Sequence, residues 1–160
     1  MQSFAFDSER ITKSSIQSTE THSRYTTRTV KHVLSRHCTI LEDSTGTVCG
    51  TIDWRERTLE LGGKKASIEQ LKRKVSNFSM TRYWKWVDGD EYKVKYAENM
   101  WIVTASMGEV VAEFTSTVER ALRSNLFPVW RIARDVRDEE RQFLLLILLY
   151  SETKRLDRED

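Results

Sequence analysis

Proline and glycine are scarce: Pro128 stands alone and there are six glycines, so no long flexible linker divides the 160 residues. That length suits one domain with a real core, and the chain reads as a single domain over 1–160. Cysteine is scarce too. Cys38 and Cys49 are the only two, eleven residues apart on either side of a hairpin signal, so they could lie near each other. The stretch Met1 to Lys13 lacks the charged-then-apolar pattern of a secretory leader. A reducing, cytoplasmic setting with two free thiols is therefore expected. His22, His32 and His37 are the only histidines, and no CxxC or HxxxH pair occurs. Zinc sites want four ligands, usually in tight pairs, so no metal is expected. No GxSxG elbow, GxGxxG fingerprint or Walker loop is present, and the carboxylates cannot be paired from sequence. Neither an enzyme nor a cofactor is expected. Excess charge is missing as well: 26 basic residues face 24 acidic ones, a formal net charge of +2. That gives no global pull toward nucleic acid or membrane. No apolar stretch approaches the roughly 20 residues that span a bilayer.

What is present is one dense apolar run near the end, Phe143-Leu144-Leu145-Leu146-Ile147-Leu148-Leu149-Tyr150. Asp138, Glu139 and Glu140 precede it, and Lys154 and Arg155 follow. That charge polarity suits a helix dipole. The spacing predicts a helix from Asp138 to about Lys154, apolar all round and so buried on every side. The rival reading makes Phe143–Tyr150 the central strand of a sandwich. Leucine richness and the charge polarity favour the helix.

The preceding sequence reads as short strands and turns, rich in Thr, Val, Ile, Tyr and Trp. Phe4-Ala5-Phe6 opens the series, and Ser14 to Thr29 gives two strands turning near Glu20–His22. Arg36–Leu41 and Val48–Trp54 pair around Glu42–Gly46, with Val48, Gly50, Ile52 and Trp54 on one face. Thr58–Leu61 and Lys65–Ile68 flank the Gly62-Gly63 turn. Glu69–Lys74 reads as one helical turn. Arg82–Trp86 and Tyr92–Tyr96 flank Asp88-Gly89, the sharpest hairpin signal here. Met100–Thr104 and Val110–Thr115 turn at Met107-Gly108. Glu119–Asn125 reads as a loop or short helix, and Val129–Ala133 as the last strand. About a dozen strands, each extending roughly 20 Å, match a helix of about 25 Å. A mainly β, closed antiparallel barrel of about twelve strands around the helix buries it fully and removes exposed edges.

Six segments, in this order, resemble a fungal family of domains of unknown function related to tubby-like and LURP-one-like barrels. They are Ile11–Ser15, Tyr25–Thr27, Gly50-Thr51-Ile52-Asp53-Trp54-Arg55, Asp88-Gly89-Asp90-Glu91-Tyr92-Lys93, Val111–Phe114 and Phe143 through Arg155. The family usually carries a tryptophan after its Tyr-Lys pair, where this chain has Val94. The resemblance implies a twelve-stranded barrel around a hydrophobic C-terminal helix, and it implies little about activity.

Trp54, Tyr83, Trp84, Trp86, Tyr92, Tyr96, Trp101 and Trp130, with Lys85, Lys93 and Lys95 nearby, could stack single-stranded nucleic acid. Packing of the barrel wall against the helix is the favoured reading, and nucleic acid is not a favoured partner. Lys64, Lys65, Lys72, Arg73 and Lys74 form the candidate anion- or lipid-binding patch. Tubby-like domains include phosphoinositide binders, so the resemblance points the same way. A helix-filled barrel leaves no lumen for a small-molecule carrier. The expected function is a non-enzymatic binding or scaffold module for a protein partner. The alternative is anionic membrane lipid at the basic patch.

Overall fold

The computed structural model describes residues 1–116 and 126–159. Thirteen strands form one antiparallel sheet, followed by a long helix. The strands are β1 (Gln2–Phe6), β2 (Ser14–Ser18), β3 (Arg24–His32), β4 (Ser35–Glu42), β5 (Val48–Asp53), β6 (Thr58–Leu61) and β7 (Lys64–Ser67). A single helical turn, α1 (Ile68–Leu71), precedes β8 (Lys72–Lys74), β9 (Arg82–Lys85), β10 (Glu91–Ala97), β11 (Met100–Thr104), β12 (Val110–Thr115) and β13 (Val129–Ile132). The helix α2 runs over Asp138–Glu159. The expected loop or short helix at Glu119–Asn125 lies outside the described residues.

Strand order is β7-β6-β5-β4-β3-β2-β1-β13-β12-β11-β10-β9-β8. The sheet is a meander whose first and last strands meet, with Phe4 opposite Trp130. The two outer strands, β7 and β8, are neighbours in sequence but share no ladder, so the hydrogen-bonded sheet is not closed. Thirteen strands accord with the about twelve expected from sequence, whereas the hydrogen bonding does not close the sheet into the expected ring. The reason lies in α1. Ser67 Oγ accepts from the Gln70 N–H and Gln70 Oε1 accepts from the Ser67 N–H, a capping box that folds the backbone out of extended form at the seam. Ile68 and Leu71 are buried beneath it. The Ile68 N–H donates to the Arg57 carbonyl at 2.9 Å, fixing the turn to the β5–β6 loop.

α2 is enclosed. Phe143 through Tyr150 are each 5% exposed or less. Eight successive residues at 3.6 per turn point in every direction, so apolar surroundings meet the helix on all sides. Trp54 stacks on Tyr150 with centroids 5.5 Å apart, Trp84 meets the same ring edge-on, and Trp86 packs on Phe143. Of the aromatic residues singled out, Trp84, Trp86, Tyr92, Trp101 and Trp130 are buried and Trp54, Tyr83 and Tyr96 are half-buried, while Lys93 and Lys95 face outward.

Several local expectations differ. Val48 is 51% exposed rather than inward, because the β4–β5 register shifts beside Glu42. Lys72–Lys74 is a strand paired with β9, not part of a helical turn. α2 runs to Glu159, past the expected end near Lys154, and its added turn carries Asp157, which pairs with Arg36 on β4. Cys38 pairs with Asp53, whereas Cys49 sits beside Leu41. About three residues of strand, roughly 10 Å, separate the two positions along the ladder, so they do not lie side by side, as the hairpin could have placed them.

Candidate functional site

The N-terminal end of α2 opens into a cavity of about 360 Å³. Two turns build its walls. The β6–β7 hairpin turns at Gly62 and Gly63, with φ +58° and +75°, the left-handed pair a two-residue turn requires. A side chain at Gly62 would bring its Cβ to 3.3 Å from Glu139 Oε1, so the turn lies close against the first turn of α2. The second wall is the connection from Trp86 to Asp90. Asp88-Gly89 signals a tight hairpin, yet the ladder ends at Lys85 and Glu91 and leaves five residues between them. Trp86 turns inward to the core, and the Gly89 N–H closes the loop on its carbonyl at 3.1 Å.

Trp86, Tyr92 and Phe143 give the cavity an aromatic, buried floor. Asp88, Asp90, Glu139 and Glu140 crowd its rim, against Lys64 and Arg137. Lys64 Nζ lies 2.8 Å from Asp88 Oδ2. That hydrogen bond holds the Asp88 carboxyl below its ordinary value and pushes the Lys64 amine up. Burial, and then the charge of Asp90, push the Glu140 carboxyl up. The indole Nε1 of Trp86 is buried without a partner, as are those of Trp84 and Trp130, so this is a trait of the wall rather than of the cavity.

The five basic residues singled out from sequence lie on β7 and β8, on either side of the seam, in differing settings. Lys64 stands at the cavity, paired with Asp88. Lys65 is exposed on β7, opposite Glu60. Lys72 is half-buried at the seam, its amine 5.2 Å from the Tyr150 ring and 5.7 Å from the Trp84 ring. Arg73 donates twice to Glu91, at 2.8 and 2.6 Å, and lies over Tyr83. Lys74 is exposed at the end of β8. The acidic rim was not singled out from sequence. Its members read locally as turn formers and as helix-dipole charges, and only the fold brings residues 88–90 to residues 139–140.

The opposite end of α2 holds a buried polar cluster of structural character. Glu152 accepts from Trp101 Nε1 and Ser116 Oγ, each at 2.7 Å, and pairs with Arg155 at 2.8 Å. Burial raises its carboxyl, but the donors from Arg155, Ser116 and Trp101 together hold it below its ordinary value. Among the described residues no group of three His, Cys, Asp or Glu could hold a metal ion, and no helix is long and apolar enough to cross a membrane. No family model matches the chain, and no curated protein or solved structure matches it either.

Proposed function

We propose that this chain is a non-enzymatic interaction module, a tubby-like barrel completed across the β7–β8 seam by α1. In this reading it docks a protein partner at the mouth beside the N-terminus of α2, in the cytoplasm, where Cys38 and Cys49 stay reduced. The observation that supports this is the mouth cavity itself, a buried aromatic floor under a charged rim. Such a combination suits a partner side chain, whose apolar stem meets the rings while its polar end meets the rim. α2 fills the interior, which leaves the mouth and outer wall for binding. An anionic lipid would have to compete with Asp88 for Lys64 and with Glu91 for Arg73.

The experiment is affinity capture from native cell extract with quantitative mass spectrometry, comparing wild type with Asp88→Lys/Glu139→Lys. Both positions are exposed, so the fold should survive, and the melting temperature checks it. A control, Lys65→Glu/Lys74→Glu, changes as many charges elsewhere. Loss of one captured protein by the mouth variant alone is the expected result. Identical capture by all three chains would remove the mouth as the contact.

A further inference from the structure

We infer that the mouth cavity receives an alkylammonium head, the end of a lysine or methylated lysine side chain on the partner. The inference rests on reading the mouth as the protein contact and adds the chemistry of what enters.

The rings set the first condition. Trp86 and Phe143 stand 5.6 Å apart with planes inclined at 46°, and Tyr92 lines the same space. Aromatic rings that border one space attract a cation that meets their π faces. The rim sets the second. Lys64 is already matched by Asp88, which leaves Asp90, Glu139 and Glu140 opposing Arg137. A helix N-terminus ordinarily attracts anions, but this one is occupied by the chain's own Asp138, Glu139 and Glu140. An entering carboxylate or phosphate would add negative charge where Glu140 is already crowded by Asp90. An ammonium would relieve that crowding. Size sets the third condition: about 360 Å³ falls at the small end of ligand pockets, room for one side-chain terminus.

The test uses the whole chain, ¹⁵N-labelled, observed through its tryptophan indole N–H resonances. The probes are Nα-acetyl-lysine methylamide, its Nε-trimethyl form, the corresponding arginine compound, and the neutral Nε-acetyl form. The Trp86 signal is assigned with Trp86→Phe or, should that chain not fold, by its nuclear Overhauser contacts to Phe143. The two ammonium probes should shift it saturably, and the neutral form should bind weaker by about tenfold or more. Asp90→Asn/Glu140→Gln should weaken the ammonium probes by a similar factor at unchanged melting temperature. If the double variant does not fold, the single Asp90→Asn, at an exposed position, should still weaken them. Equal binding of the neutral probe, preference for the arginine compound, or no shift up to about 20 mM would each overturn the inference. If the ammonium probes fail while Asp88→Lys/Glu139→Lys still loses a partner, the mouth stays the contact and only the ligand class falls. If both fail, the docking reading falls with it.

Discussion

Gly50 on β5 and Leu146 on α2 touch so closely that a Cβ on the glycine would stand 2.7 Å from Leu146 Cδ1 and 3.3 Å from Cγ. Leu146 is fully buried and has little room to yield. Gly50→Ala should therefore destabilise the protein by about 1–3 kcal/mol through overpacking. Leu146→Ala should cost about 2–5 kcal/mol by opening a cavity. In the double variant the new methyl enters the space the leucine leaves. Denaturant unfolding should then show a combined loss about 1 kcal/mol or more below the sum. Strict additivity would mean that strand and helix do not press on each other here.

Glu152 should make stability fall in acid. Its carboxyl is held below its ordinary value in the folded chain, so ionised Glu152 stabilises the fold fully above the unfolded value, about 4.3. That contribution is lost as pH drops through the lower, folded value. Glu152→Gln removes the charge facing Arg155 and should cost about 3 kcal/mol at pH 7. For a chain of this size that lowers the melting temperature by about 6–12 °C. Melting curves from pH 7 down to about pH 3 should show the gap between the two proteins closing below the unfolded value. A gap that stays constant through that range would assign the loss to packing alone.

Cys49 should be a poor nucleophile in the native chain. Burial, then the nearby Asp43 charge, push its thiol up to about 11. At mildly alkaline pH its thiolate fraction should fall roughly a hundredfold below that of an ordinary cysteine. In Cys38→Ser, labelling with a disulfide reagent should accelerate by a comparable factor on denaturation. Equal rates before and after unfolding would contradict the buried setting. The spacing of the two residues along the β4–β5 ladder also exceeds the roughly 7 Å between Cα atoms that a disulfide can bridge. Alkylation of the denatured wild type without reductant should therefore modify both cysteines.

The sequence made some of this legible because certain patterns strongly favour one physical outcome. Eight apolar residues must be buried, and leucine richness with acid before and base after favours a helix over a central strand; Phe143–Tyr150 forms that helix. Gly62-Gly63 and Gly108 sit at positive φ, as their turns demand. Other features lacked a local signal. Glu98 and Asn99 make the β10–β11 turn at φ +53° and +60° without a glycine. Three consecutive basic residues, Lys72 to Lys74, became a strand because the seam supplied β9 as a partner. The acidic rim needed two segments some fifty residues apart to meet, and nothing in either segment announces the other.

The rival, anionic-lipid reading turns on which basic residues are free to face a membrane. Reversing Lys72, Arg73 and Lys74 together would confuse binding with folding. Lys72 packs its stem at the seam, and burial, aided by the like charges of Arg82, Arg57 and Lys74, pushes its amine down. Arg73→Glu would set a second carboxylate against Glu91. Lys72→Glu alone should lower the melting temperature by several degrees, whereas Lys72→Met keeps the stem and should not. Lys65→Glu/Lys74→Glu is the gentler variant: both side chains are exposed, and the one cross-strand repulsion it adds, Lys65→Glu against Glu60, is checked by the melting temperature. Each basic residue near an anionic surface contributes about 1 kcal/mol, so removing two should weaken lipid binding by about thirtyfold. The attraction should also fade with salt, since exposed charges are screened over about 10 Å at 0.1 M. If the chain is the protein-docking module proposed, wild type and variant will sediment equally with phosphoinositide and neutral vesicles at low and high salt. Salt-sensitive sedimentation of the wild type that the variant loses would move the function from the acidic mouth to Lys65 and Lys74.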